Sequence, residues 1–160
     1  MSAAAATLPP APAPTSGVFA GGAHHFPVRV YFEDTDAGGI VYHANYLRFM
    51  ERARSDMLRL LGISQRGALD AGEGAYAVSS LSINYRAPAR LDDDLIVVSR
   101  MTGVGGATVT IAQQVLRGET LLTDGAVTVA FLSAKGRPKR QPKDWVARFT
   151  SITTGEISPQ

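Results

Sequence analysis

Val28, Val30 and Phe32 alternate with Arg29, Tyr31 and Glu33 along the first clearly patterned stretch of the chain. That period of two predicts a half-buried strand opening near Pro27. Asp34-Thr35-Asp36-Ala37-Gly38-Gly39 follows, and its adjacent glycines read as a loop. The period then lengthens. Tyr46, Met50, Ala53, Met57 and Leu60 recur at steps of three and four, which predicts a helix over residues 44–61. Arg48, Arg52, Asp56 and Arg59 fall mostly off that stripe. Leu47, Leu58 and Leu61 widen it, so this helix is expected to meet protein over much of its circumference. Asn45 or His43 suits its start as a cap, and Gly62 suits its end. A second, short helix is expected over residues 64–71, with Gly67 weighing against it.

Beyond Tyr76 the period of two returns. Leu81, Ile83 and Tyr85 alternate with Ser80, Ser82 and Asn84. Residues 95–101 are apolar on both faces. Gly103, Gly105 and Gly106 mark a turn, and Val109, Ile111 and Val115 begin another strand. Arg117-Gly118-Glu119 reads as a hairpin turn, and Val127, Val129 and Phe131 lie on the last strand. Residues 135–143 are basic and broken by proline, and the chain from Thr150 onward reads as loose. The order is β-α-β-β-β-β. No helices separate the later strands, which excludes a right-handed parallel array. The expected architecture is α+β, a five-stranded antiparallel sheet with the helix packed on one face.

Length and composition narrow the function classes. A chain of 160 residues is about one domain. It has no cysteine, which removes disulfides, thiolate nucleophiles and thiolate metal sites. A net charge of +2 permits anionic partners without requiring them. No apolar run approaches the ~20 residues of a membrane helix. Residues 1–24 are rich in Ala and Pro and read as a disordered tail, because prolines interrupt any signal-like apolar stretch. The folded domain is expected over residues 25–150 and a loose tail over 151–160, in a cytoplasmic protein.

The richest cluster for chemistry runs from Glu33 to Tyr46. Three carboxylates leave a strand, pass a glycine loop and meet a helix N-terminus. Glycine lets backbone approach a ligand closely, and a helix start offers free N–H groups and positive potential. The parts suit a carboxylate base or nucleophile beside an oxyanion hole. They equally suit a turn in which Asp34 and Asp36 only shape backbone. Asp34-x-Asp36 after a strand also resembles the nucleophile motif of haloacid-dehalogenase-type phosphatases. That motif wants Thr or Val where this chain has Gly38, and a parallel sheet, which the strand order excludes. The run Arg137-Pro138-Lys139-Arg140 is too short, and too poor in aromatics, to indicate nucleic-acid binding.

Val28-Arg29-Val30-Tyr31-Phe32-Glu33, continuing through Asp34 to Tyr46 and then Phe49-Met50-Glu51-Arg52-Ala53-Arg54, resembles the YbgC-type acyl-CoA thioesterases. These form part of the 4-hydroxybenzoyl-CoA thioesterase branch of the hotdog superfamily. Tyr85-Arg86-Ala87-Pro88-Ala89-Arg90-Leu91-Asp92-Asp93 is similar to that family too, and the likeness spans residues 27–149.

The resemblance implies a hotdog fold, in which the antiparallel sheet wraps a long central helix. It implies sheets paired edge to edge in a homodimer or homotetramer, with active sites at the dimer interface. The family's catalytic aspartate falls on Asp36, as nucleophile or as general base toward water. Its oxyanion donor, a backbone N–H at the helix start, falls near His43. The His43 side chain either orients substrate or water, or serves as a cap or dimer contact. Tyr31, Gly39, Val41, Tyr42 and Asn45 are implied to shape the substrate pocket, and Glu51 to play a structural or water-ordering part. Coenzyme A phosphates call for cations, for which Arg86, Arg90 and residues 135–140 are candidates. Relatives often carry a basic or hydroxyl residue in the turn that here reads Gly105-Gly106-Ala107-Thr108, which leaves Thr108 and backbone N–H groups. No metal or redox cofactor is implied, since coenzyme A is part of the substrate. An acyl carrier protein is a possible partner, and nucleic acid is not. A non-catalytic hotdog module that binds such a carrier or an envelope-associated complex is the main alternative. A hotdog dehydratase or hydratase ranks behind it, since such enzymes usually want a His–Glu or Asp–His pair in a different context.

Overall fold

The computed structural model describes residues 9–154. Strands β1 (Val18–Ala20), β2 (Ala23–Arg29), β3 (Ala75–Tyr85), β4 (Asp94–Val104), β5 (Thr108–Arg117) and β6 (Thr120–Leu132) form one sheet in the order β1-β2-β4-β5-β6-β3. Every pairing is antiparallel. Helix α1 (His43–Leu60) lies on one face, α2 (Gln65–Asp70) follows it, and α3 (Lys143–Thr153) ends the described chain. The long helix carried on a curved antiparallel sheet is the hotdog arrangement.

Six strands stand where five were expected. The additional one, β1, lies inside the stretch read as a tail to residue 24, and β2 also opens there. Gly21 and Gly22, at φ +56° and +69°, make the tight turn between them, a conformation that glycine reaches without a Cβ penalty. The first predicted strand has the right phase, since Val28 and Val30 are buried, but it ends at Arg29. The chain then tightens into a 3₁₀ turn over Phe32–Asp34, which throws Phe32 out to 81% exposure. The C-terminal segment is also corrected. Trp145, Phe149 and Ile152, spaced by four and three, form the buried stripe of α3, and residues 151–153 belong to that helix. The expectations for residues 1–8 and 155–160 lie outside the described residues.

Two apolar clusters sit between α1 and the sheet. Tyr46, Phe49, Met50 and Ala53, over the first three turns of α1, pack with Val28, Val30, Val97 and Leu122. Met57 and Leu58 near its end pack with Met101, Ile111, Phe131 and the α3 stripe. Polar side chains are buried between them. Arg54 donates to Gln113 Oε1 at 2.8 Å and pairs with Glu51, while Gln113 donates to Ser99 Oγ at 2.8 Å and to the Met50 carbonyl at 3.1 Å. Asp56, placed off the apolar stripe by its sequence position, is buried. It accepts from Ser16 Oγ at 2.7 Å, the Gly17 N–H at 2.8 Å and His24 Nε2 at 2.8 Å. This carboxylate ties the β1–β2 hairpin to the helix.

Candidate active site

The loop between β2 and α1 is held by Asp34. This residue is 3% exposed, and its carboxylate accepts from the Tyr31 N–H and from Asn45 Nδ2, each at 2.8 Å. Its carbonyl accepts from the Tyr42 N–H at 2.9 Å. Asp34 therefore shapes backbone. Asp36, two positions on, is exposed, and its Oδ1 accepts from the Gly38 N–H at 2.8 Å. The Asp36 N–H donates to the Ile40 carbonyl at 2.9 Å, and its carbonyl accepts from the Gly39 N–H at 3.0 Å. Gly39 closes this small loop at φ +74°. Val41 then donates to the Ala89 carbonyl at 2.9 Å, which anchors the loop against the β3–β4 connection.

Tyr42 occupies the N-cap position of α1 and no side chain caps the helix. The Asn45 N–H donates to the Tyr42 carbonyl at 2.8 Å, and among the described residues no side chain accepts from the N–H groups of His43 and Ala44, which carry the positive end of the helix. Tyr85, the last residue of β3, donates from its hydroxyl to the His43 carbonyl at 2.7 Å and fixes this start against the sheet. The rings of His43 and Tyr85 meet edge-on at 6.4 Å, and Tyr46 and Tyr85 at 5.6 Å. Tyr46 accepts the Ala89 N–H at 2.9 Å. Burial raises the pKa of Tyr46 and of Tyr85 above the ordinary phenol value, so both stay neutral donors or acceptors.

Asp36, Val41, His43 and Arg86 thus converge with Tyr46 and Tyr85 on one cleft of about 390 Å³. The two tyrosines were not among the expected site residues. Tyr46 reads as part of the helical core stripe and Tyr85 as an ordinary strand position. Arg86 is half exposed and paired with Asp124, the main cause of its raised guanidinium basicity.

Other expected residues lie elsewhere. Asn45 is buried behind the loop as the partner of Asp34. Tyr31 lines a separate groove with Arg29, Arg52 and Ile96. Gly39 and Tyr42 sit on the loop outside the cleft lining, with the Tyr42 ring 4.4 Å from that of His43. Arg90 is exposed; its N–H donates to the Asp93 carboxylate at 2.8 Å and its carbonyl accepts the Asp93 N–H at 3.1 Å. Glu51 pairs with Arg54 at the rim of a second cavity. Thr108 pairs with Ala130 on β6, whereas Tyr85 pairs with Thr123, so seven residues of strand separate them. At 3.3 Å per residue that is roughly 23 Å. Residues 135–143 follow the same far end of β6. Among the described residues, no three His, Asp or Glu side chains gather as a metal site, and no helix is long and apolar enough to cross a membrane.

An acidic loop thus stands against the start of a long helix on a hotdog frame. The family model of the thioesterase superfamily matches residues 38–123. The chain belongs to that superfamily. It is 45% identical over 125 residues to the acyl-CoA thioesterase YbgC of Haemophilus influenzae, covering 78% of this chain and 92% of the relative. It is also 45% identical over 126 residues to the acyl-CoA thioester hydrolase YbgC of Escherichia coli O6:H1, covering 78% and 93%. A probable thioesterase from Bartonella henselae, solved by crystallography, superposes with a TM-score of 0.71 at 36% identity, over 75% of this chain and 99% of the other.

Proposed function

We propose that this chain is an acyl-CoA thioesterase of the YbgC type, hydrolysing acyl-CoA to free acid and coenzyme A, with Asp36 as general base. The supporting observation is the convergence of Asp36 with the uncapped start of α1 in one cleft. Gly38 engages Oδ1 of Asp36, which leaves Oδ2 to take a proton from water. The water oxygen forms the new C–O bond and the thioester carbonyl becomes an oxyanion. First-turn N–H groups near His43 stabilise that charge where it develops. Collapse breaks the C–S bond, and the departing thiolate takes the proton held on Asp36, which restores the carboxylate. His43 borders the cleft and orients substrate or water there.

The proposal includes a homodimer. Strand β3 is an eleven-residue sheet edge along which Val78, Leu81 and Tyr85 are 52%, 43% and 47% exposed. Such an edge invites pairing, and a second copy satisfies its free backbone groups and covers its side chains. A cytoplasmic setting, where acyl-CoA and acyl carrier protein are both soluble, belongs to the same reading.

Thiol release from short, long and aromatic acyl-CoAs by the wild type and by Asp36→Asn tests it. Loss of a general base costs ~10²–10⁴ in rate. The expected result is a fall of that size with the oligomeric state unchanged. An Asp36→Asn enzyme as fast as the wild type overturns the role of Asp36. A wild type inert on every acyl-CoA shifts the reading to an acyl carrier protein substrate or to a binding module.

A further inference from the structure

The join between the Asp36 loop and α1 leaves two neighbouring backbone donors unpaired. The Val41 N–H goes to the Ala89 carbonyl at 2.9 Å, the Tyr42 N–H to the Asp34 carbonyl at 2.9 Å and the Asn45 N–H to the Tyr42 carbonyl at 2.8 Å. Between them, the N–H groups of His43 and Ala44 have no acceptor among the described residues. His43 is exposed, and Ala44 is partly so.

The same join holds an acceptor with an additional donor. The His43 carbonyl stands at the start of the helix, where a carbonyl ordinarily takes the N–H four residues on. It also accepts the Tyr85 hydroxyl at 2.7 Å. A carbonyl cannot donate, so the phenol proton lies in this bond. The His43 carbonyl and the Ala44 N–H are the two ends of one planar peptide unit. A carbonyl that accepts a further bond is polarised, and the N–H across the peptide becomes a stronger donor. The unit also turns as one plane, so a phenol that pins its oxygen sets the direction of its N–H.

The pin is fixed from the sheet. Tyr85 closes β3, and both of its neighbours are tied to β6. The Asn84 amide donates to Asp124 Oδ2 at 3.4 Å, Arg86 pairs with the same carboxylate, and the Arg86 N–H donates to the Leu122 carbonyl at 2.8 Å. The Tyr85 ring meets that of Tyr46 edge-on at 5.6 Å. Burial raises the pKa of the Tyr85 hydroxyl, so it keeps its proton at neutral pH.

We propose, resting on the thioesterase reading above, that Tyr85 is a positioning residue for hydrolysis: its hydroxyl orients and polarises the His43–Ala44 peptide and so strengthens the Ala44 N–H toward the oxyanion. The phenol proton stays on Tyr85 throughout. Donation runs from the phenol through the peptide to the substrate oxygen, and it strengthens most when that oxygen carries charge. The effect therefore falls on the transition state and leaves substrate binding unchanged.

Tyr85→Phe keeps the ring and removes the proton. Loss of a whole oxyanion donor costs about 10²–10³ in kcat, and cooperative strengthening is about 10–30% per bond. On the logarithmic scale of rates, that share predicts a fall in kcat of about twofold to eightfold at constant KM. Replacement of Tyr85 by 3-fluorotyrosine, whose more acidic hydroxyl donates more strongly, should raise kcat above that of the wild type at neutral pH. A spectroscopic readout needs no turnover. In the ligand-free protein, the Ala44 amide nitrogen and the His43 carbonyl carbon should shift in Tyr85→Phe and move the opposite way with 3-fluorotyrosine, while amides in the last turn of α1 hold their positions. A Tyr85→Phe enzyme with wild-type kcat, beside an Asp36→Asn enzyme that has lost activity, overturns the role of Tyr85 and leaves the hydrolase reading standing. A raised KM at constant kcat overturns it in favour of a binding contact. A lower kcat and melting point in Tyr85→Phe, with no response to fluorination, overturns it in favour of packing alone. A wild type inert on every acyl-CoA removes the hydrolase reading, and the proposal falls with it.

Discussion

Asp34→Ala should loosen the loop that carries Asp36. The Asp34 carboxylate is 3% exposed and holds two donors at 2.8 Å, the Tyr31 N–H and the amide of Asn45. A hydrogen bond to a charged group contributes about 1.5–3 kcal/mol, and a buried donor left without an acceptor costs about 1–3 kcal/mol. Asn45 is 6% exposed, so its amide has little access to water once Asp34 is gone. The Tyr31 N–H lies nearer solvent and recovers part of its loss. Removal of the carboxylate also releases its own desolvation cost, which trims the total. The expected destabilisation is about 2–4 kcal/mol, read as a shift of the urea midpoint at unchanged slope. Activity should fall with it, because the loop places Asp36. The paired variant Asn45→Ala gives the control. In a double-mutant cycle the two substitutions should couple by about 1–3 kcal/mol, since each removes the same bond. An Asp34→Ala protein within 0.5 kcal/mol (about the reach of a surface substitution) with wild-type turnover would refute the reasoning.

Stability should fall in acid through the His24–Asp56 clamp. Burial lowers the His24 pKa below its ordinary 6.5, outweighing the pull of Asp56, so the unfolded chain takes up the proton first as pH drops below that value. Burial alone would raise the Asp56 pKa. The bonds from Ser16, Gly17 and His24 outweigh it and hold the pKa below 3.8, which adds a second loss below that pH. Unfolding midpoints at pH 8, 6 and 5 should decline in order, and His24→Phe should flatten that decline; a flat wild-type series contradicts the assignment. Gly17→Ala should destabilise by about 1–3 kcal/mol through overpacking. Its Cβ would run into the His25 carbonyl and meet His24 Nε2 at 2.6 Å. A variant that melts with the wild type shows that the segment before β1 does not pack as described.

Periodicity carried the long elements. The helix predicted over residues 44–61 is α1 within one residue at each end, and Val28 and Val30 face inward as their alternation implies. Short elements without alternation were hidden. β1 has three residues in an Ala- and Gly-rich stretch, and its anchor is a tertiary one, Asp56 with His24. The stripe of Trp145, Phe149 and Ile152 was present in the sequence but followed a proline-broken basic run. At the site, the motif pointed to Asp36 and His43. Spacing alone did not distinguish Asp36 from Asp34, because the two share a side chain and a loop. Asn45 distinguishes them, and that contact spans eleven positions. The positions of Thr108 and Glu51 relative to Asp36 depend on strand order and on which end of β3 each cavity meets, neither of which is local in sequence.

The start of α1 breaks a local rule in a way that the proposed function accounts for. A Ser, Thr, Asp or Asn cap contributes about 1 kcal/mol to a helix, and this chain places Tyr42 at that position instead. A carboxylate stands nearby in Asp34, but it binds Tyr31 and Asn45 rather than the first-turn N–H groups. The helix is secured by other means. Tyr85 holds the His43 carbonyl, Tyr46 is pinned through Ala89, and Phe49 and Met50 are buried in the core one turn on. On the proposed reading the forgone cap leaves donors for an oxyanion, and burial elsewhere offsets the loss, the pattern expected where a local rule yields to chemistry.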